Sequence, residues 1–81
     1  MDLKDTVEMM NSADYKERFK AEYHQVKARY DKLHKMTVKY KAGKLDFKPD
    51  CSLELLLEQK KYMGQYLNCL EVRAEIEGIE L

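Results

Sequence analysis

The sequence predicts an all-α protein. Its 81 residues include only one proline and three glycines, and 37% of them are charged, a composition typical of helical chains. Apolar residues recur at alternating spacings of four and three through the middle of the chain, which is the heptad pattern of a helix packed against another helix. Gly43 and Pro49 lie between two long helical stretches and separate them. A long antiparallel helical hairpin is therefore expected, preceded by a short helix.

The short N-terminal helix is predicted at about residues 3–10. Leu3, Val7 and Met10 follow helical spacing, so they form one apolar face. Asp2 precedes them, and aspartate is among the preferred N-cap residues.

The first long helix is predicted at about residues 13–42, with Ser12 as its N-cap and Gly43 as the residue that ends it. Its apolar positions alternate spacings of four and three, and we call them the first seam. The first seam consists of Phe19, Tyr23, Val26, Tyr30, Leu33, Thr37 and Tyr40. One narrow seam predicts one helical partner.

The second long helix is predicted at about residues 52–77, capped by one of residues 50–52 and ended by Gly78. The loop before it contains Leu45 and Phe47, which we expect to turn inward. A loop of about seven residues between two long helices favours an antiparallel hairpin.

The second long helix is apolar over about 200° of its circumference, whereas packing on one partner needs a stripe of little more than about 100°. This arc consists of Leu53, Leu55, Leu56, Tyr62, Met63, Tyr66, Leu67, Cys69, Leu70 and Ala74. The surplus predicts a homo-oligomeric helical bundle, in which a second copy covers the exposed part. The alternative is that the short N-terminal helix covers it.

Charge is divided unevenly along a chain whose net charge is zero. Residues 15–48 hold eleven Lys or Arg against four acids, whereas residues 49–81 hold three against seven. Pairing of the two long helices would match much of this charge within the chain. A neutral total argues against general nucleic-acid binding, since phosphate-tracking domains usually carry net positive charge.

The chain is predicted to be a single domain, 1–81, in a cytoplasmic setting. Cys51 and Cys69 fall on one helix about 27 Å apart, beyond the reach of a disulfide, which fits a reducing compartment. No apolar run has the length of a membrane span, and the acidic N-terminus does not resemble a signal peptide.

Three polar residues fall inside the apolar arc of the second long helix: Gln59, Arg73 and Glu77. Arg73 and Glu77 are four residues apart and would form an ion pair at an oligomer interface, which is a structural interpretation. The functional interpretation is a pocket between copies, in which Arg73 binds an anion and Gln59 provides a hydrogen bond.

Tyrosines and arginines supply the other candidate ligand-binding residues. Arg18 and Arg29 lie on one flank of the first seam and would neutralise phosphate. The tyrosines would stack on a nucleobase, or they pack in a small core with their hydroxyls at its rim. The full candidate set is Arg18, Tyr23, Arg29, Tyr30, Gln59, Tyr62, Tyr66 and Arg73.

No catalytic motif, metal site or cofactor is predicted. His24 and His34 are ten residues apart on one helix and point in different directions, so they cannot share a metal. Cys51 has no predicted general base near it, and Ser12 and Ser52 have the positions of helix caps. We expect a protein that is not an enzyme.

Two segments resemble a known family. The sequences DYKERFKAEY at 14–23 and RAEIEGIEL at 73–81 resemble those of short proteins from phages and prophages of gut Firmicutes, a family labelled after a crAss-like phage reading frame. The resemblance covers essentially the whole chain. Cys51-Ser52 stands where relatives often carry Cys-Pro, a difference that concerns helix capping.

The resemblance implies a small accessory phage protein in the cytoplasm of an infected bacterium, a class that often inhibits host immunity. The leading hypothesis is an anti-defence protein that binds and sequesters a nucleotide-derived signal, of ADP-ribose type or a cyclic nucleotide, without catalysis. The alternatives are an inhibitor that binds a host defence protein, as anti-CRISPRs do, and a small structural or adaptor protein.

Overall fold

The computed structural model describes residues 1–81, and all of its regular secondary structure is helical, which confirms the all-α prediction. A 3₁₀ turn at Leu3–Thr6 leads directly into α1 at Val7–Met10. Two long helices follow, α2 at Tyr15–Lys41 and α3 at Leu53–Glu77. No helix carries an apolar stretch that would reach across a bilayer.

The helix N-termini are capped by acidic and hydroxyl side chains. Asp2 caps the 3₁₀ turn as predicted, in a reciprocal capping box with Asp5. Asp14 caps α2, since its carboxylate accepts from the Lys16 N–H at 3.0 Å. The prediction that Ser12 caps α2 is wrong, because the Ser12 hydroxyl accepts instead from the Asp14 N–H at 3.0 Å.

At the other helix, Ser52 caps α3 by accepting from the Leu55 N–H at 3.2 Å. Gly78 ends α3 in the left-handed region at φ 68°, and the Ile79 N–H then bonds the Ala74 carbonyl at 2.9 Å. This turn folds Ile79 back into the core, where it is 6% exposed.

α2 and α3 form an antiparallel hairpin. Tyr15, the first residue of α2, donates to Glu77, the last residue of α3, whereas Tyr30 in mid-α2 lies against Gly64 in mid-α3. The core lies at the open end of the hairpin and consists of Phe19, Leu70, Ala74 and Ile79, with Tyr23 packed against it.

The core is small, because only 9 of the 81 residues are buried. The first seam is buried at Phe19, Leu33 and Thr37, but Tyr40 at its far end is 43% exposed. The expectation that Phe47 turns inward is wrong, since that side chain is 56% exposed. The hairpin therefore packs tightly at its open end and loosely near its loop.

The N-terminal segment packs on α2 alone and has no contact with α3. Thr6 and Ala21 are fully buried where the two meet, and the Gln25 amide donates to the Thr6 hydroxyl at 3.1 Å. The alternative in which this segment covers the surplus apolar face of α3 is therefore wrong.

Replacing Gly64 with alanine is expected to raise the free energy of unfolding by about 0.5–1 kcal/mol, because glycine is a poor residue for a helix interior. The added methyl group would meet the Tyr30 ring at 3.5 Å, an ordinary van der Waals contact. Chemical denaturation measures the change. The same substitution at Gly78, where φ is +68°, should destabilise the fold, and a loss of stability at Gly64 would contradict the prediction.

Candidate functional site

A continuous stripe of exposed side chains on α3 has no partner within the chain except at Arg73, which contacts α2. Its members alternate spacings of four and three over six steps, which is the spacing of a coiled-coil seam. We call it the α3 stripe, and it consists of Leu55, Gln59, Tyr62, Tyr66, Cys69, Arg73 and Ile76, all exposed. Ile76 is 78% exposed and Tyr62 is 57% exposed.

The α3 stripe lies on the side of the helix that α2 does not cover. α2 packs against the side that carries Leu67, Leu70 and Ala74, which are all buried. The predicted surplus of apolar surface on this helix is thus confirmed. Cys69 belongs to the predicted apolar arc, but its thiol is exposed rather than turned to the core, and four of the eight candidate residues lie on the stripe.

Among these candidates, the side chain of Arg73 is fixed by three partners within the chain. Its guanidinium lies 4.9 Å from the centre of the Phe19 ring, and its Nε donates to the Glu77 carboxylate at 3.1 Å. A second N–H donates to the Tyr15 hydroxyl. The predicted pair of Arg73 and Glu77 is confirmed, although both side chains are partly exposed rather than buried. Arginine has five N–H donors in a planar fork, so donors remain for a ligand.

Tyr15 belongs to this cluster, although it is not among the eight candidate residues. Its hydroxyl donates to Glu77 at 3.1 Å, and its ring is tilted against Phe19 at 6.2 Å. Partial burial and the Glu77 carboxylate raise the pKa of the Tyr15 hydroxyl, so it stays protonated. The antiparallel hairpin brings it there, because the start of α2 must meet the end of α3.

Arg18 and Arg29 lie on exposed parts of α2. Arg18 donates to the Ser12 carbonyl at 2.8 Å and borders a shallow depression of about 310 Å³ with Met10, Glu22 and Gln25. Arg29 is exposed. Arg18 thus has a fixed position beside the N-terminal segment, away from the α3 stripe.

Tyr23 lies in an acidic setting. It is half-buried and borders a second shallow depression of about 390 Å³, together with Glu71, Glu75 and Glu80. Burial and then the charge of Glu71 raise the pKa of Tyr23. Three carboxylates disfavour a phosphate group at this position, because like charges repel.

Tyr30 is occupied by packing within the hairpin. Its ring stacks on His34 with centroids 6.4 Å apart, and the Lys27 ammonium lies 5.8 Å from its centre. Its edge lies against Gly64. These contacts suit the alternative that some tyrosines are structural.

The two ion pairs of the structure each lie within a single helix. Lys27 pairs with Asp31 at 3.2 Å, and Arg73 pairs with Glu77 at 3.1 Å. The expected matching of the basic first helix by the acidic second one therefore does not occur at contact distance. Solvent-exposed positive charge remains along α2.

His24 predicts a pH dependence of folding. Burial, then the nearby positive charges of the amino terminus and Lys20, lowers the pKa of His24. The unfolded chain therefore takes up this proton more readily than the folded one, so the free energy of unfolding should fall as pH drops through about 6.5. Denaturation between pH 7.5 and 5.5 measures the slope.

The control for that slope is a pair of histidine variants. His24→Gln should flatten the dependence on pH, whereas His34→Gln, at an exposed position of the same helix, should leave it. An unchanged slope in His24→Gln would show that another group is responsible.

A single protomer does not gather the candidate residues into one pocket. Gln59, Tyr62, Tyr66 and Arg73 share the α3 stripe, whereas Arg18 lies beside the N-terminal segment. The fold and this surface define a small helical-hairpin protein with an exposed face rich in tyrosine, arginine and amide groups. Such a face combines aromatic surface with hydrogen-bond donors, two features that are used in ligand binding.

Residues 13–76 match the Sequestin family. The match covers most of the chain, and the protein belongs to this family. The family's name is consistent with a sequestering role. No curated protein and no solved structure matches the chain. The resemblance to proteins of phages from gut Firmicutes stays a prediction.

Proposed function

We propose that the protein is a phage anti-defence protein that binds and sequesters a nucleotide-derived immune signal without turning it over. The signal would be of ADP-ribose type or a cyclic nucleotide. The observation that carries this proposal is the α3 stripe, where Arg73 lies beside exposed tyrosine and amide side chains and keeps N–H donors that have no partner within the chain. The chain's membership of the Sequestin family also supports it.

Arg73 has the central role in the proposed site. Phe19 and Glu77 fix the plane of its guanidinium. Little side-chain conformational entropy is therefore lost when Arg73 binds a phosphate through bidentate hydrogen bonds. Arg18 and Arg29 on α2 would contribute further positive charge to the phosphates.

Tyr62 and Tyr66 would contact the base. They are 57% and 43% exposed, and an exposed aromatic ring gains by stacking on a nucleobase whatever the identity of the base. Gln59 lies one turn from Tyr62 and would read the edge of the base, because its amide offers both donor and acceptor.

A homo-oligomer is part of the proposal. The candidate residues lie in separate places on one protomer, and a ligand of this size is usually enclosed over most of its surface. A second copy against the α3 stripe would provide the missing wall. The proposed setting is the cytoplasm of an infected bacterial host.

The test is depletion and recovery of a signal. The purified protein is incubated with ADP-ribose-type and cyclic nucleotide messengers, and the free messenger is measured before and after heat denaturation. We expect the free concentration to fall on mixing and the intact messenger to return on heating. Loss without recovery would indicate turnover, and no loss with any messenger would refute the proposal.

A second candidate is an inhibitor that binds a host defence protein. The observation in its favour is the α3 stripe, a long and exposed helical face of the kind that docks into a groove. A stable complex with one defence protein, formed without a retained small molecule, would support this candidate over sequestration.

A further inference from the structure

We propose that two copies of this chain pair antiparallel through the α3 stripe, about a twofold axis beside Tyr66. The stripe covers 22 residues from Leu55 to Ile76, a length of about 32 Å. Its continuous heptad spacing is that of a helix packed on another helix, yet its side chains are exposed and only Arg73 contacts α2.

The order of residues along the stripe identifies the partner as a second copy. The stripe is apolar at both ends, polar one step inside each end, and aromatic at its centre. An antiparallel copy therefore places Leu55 level with Ile76 and Gln59 level with Arg73, with Tyr66 next to its own counterpart. Such self-complementarity is what a twofold interface requires.

Charge selects the antiparallel orientation over the parallel one. In a parallel pair Arg73 would face Arg73 of the other copy, and like charges at an interface are unfavourable. In the antiparallel pair Arg73 lies level with Glu58 and Gln59 of the other copy. Glu58 is beside Tyr62, whose hydroxyl donates to it at 3.4 Å, so the carboxylate is placed at the edge of the stripe.

This pairing divides the binding site between copies, an inference that rests on the proposed function. Arg73 and Tyr15 of one copy would meet Gln59 and Tyr62 of the other, so a phosphate and a base of one ligand would be bound by different copies. The twofold axis repeats the arrangement, which predicts two ligands for each dimer.

Cysteine cross-linking tests the orientation. Leu55→Cys and Ile76→Cys are made separately in a chain whose Cys51 and Cys69 are changed to serine, and each variant carries a different tag. We expect a cross-linked dimer when the two variants are mixed and oxidised, but not from either alone. Cross-links from each variant alone would show a parallel pair, and a dimer that never cross-links would show another face; both refute the inference.

The charge variant Tyr66→Glu tests the interface independently. Two carboxylates would meet at the axis, and we expect dimerisation to weaken by at least about tenfold in sedimentation. Val38→Glu, at a residue of α2 that is 51% exposed and off the stripe, should leave it unchanged. Undiminished dimerisation of Tyr66→Glu would refute the inference.

The two proposals fail separately. A chain that forms the antiparallel dimer but depletes no messenger would refute only the sequestering function. A chain that stays monomeric at high concentration but depletes a messenger would refute the dimer, and with it the oligomeric part of the proposed function, but not sequestration itself.

Discussion

Replacing Leu70 with alanine is expected to remove about 2–5 kcal/mol of the free energy of unfolding. Leu70 is 1% exposed and lies at the centre of the core formed by Phe19, Ala74 and Ile79. The residues around it belong to two helices and a capping turn, so they cannot collapse fully into the cavity. A chain of this length has a total stability of roughly 4–12 kcal/mol, so the loss would be a large fraction of the total.

Chemical denaturation followed by circular dichroism measures the effect of Leu70→Ala. The matched control is Val72→Ala, two residues along the same helix, where the side chain is 50% exposed. The control should change stability by no more than about 0.5 kcal/mol. Similar values for the two variants would mean that the core at the open end of the hairpin does not hold the fold together.

Replacing Arg73 with methionine is expected to weaken ligand sequestration by about 10- to 100-fold. A charged hydrogen bond to phosphate is among the stronger polar contacts in proteins, and the Met side chain keeps the packing on Phe19 while losing every donor. The fold should persist, because Arg73 and its partner Glu77 are solvent-accessible and such surface pairs contribute little to stability. Equilibrium binding of the messenger measures the loss.

The control for Arg73→Met is Lys61→Met, which removes a positive charge from an exposed position of α3 outside the stripe. It should bind the messenger as the unmodified chain does. Light scattering on both variants shows whether any loss comes from altered association of copies. Equal binding by Arg73→Met and the unmodified chain would exclude Arg73 from the site.

Much of the fold is predictable from local patterns. The first seam and the glycine after it indicate the long helix, since heptad spacing and the left-handed end residue are local properties. The cap of α2 was predicted two residues too early, at Ser12 instead of Asp14. Neighbouring polar residues can each accept hydrogen bonds from backbone N–H groups, and only the backbone geometry selects between them. The inward orientation of Phe47 was predicted from its hydrophobicity alone, which does not determine burial at a loop.

The candidate site is less predictable than the fold. The apolar arc of α3 correctly indicated more surface than one partner covers, and the ion pair of Arg73 with Glu77 follows from their spacing. The hydrogen bond from Arg73 to Tyr15 joins residues 58 positions apart. No local sequence pattern indicates that contact, because it depends on the register of α2 against α3.

The sequence by itself determined the helical hairpin and the excess of apolar surface on the second long helix, because these follow from periodicity and end signals. Only the tertiary structure decided which part of that surface stays open. It placed the N-terminal segment on α2, and it turned Leu67, Leu70 and Ala74 inward while leaving the α3 stripe in solvent. The physical reason is that periodicity specifies which side chains share a face, whereas the packing of helices on one another decides which faces are covered.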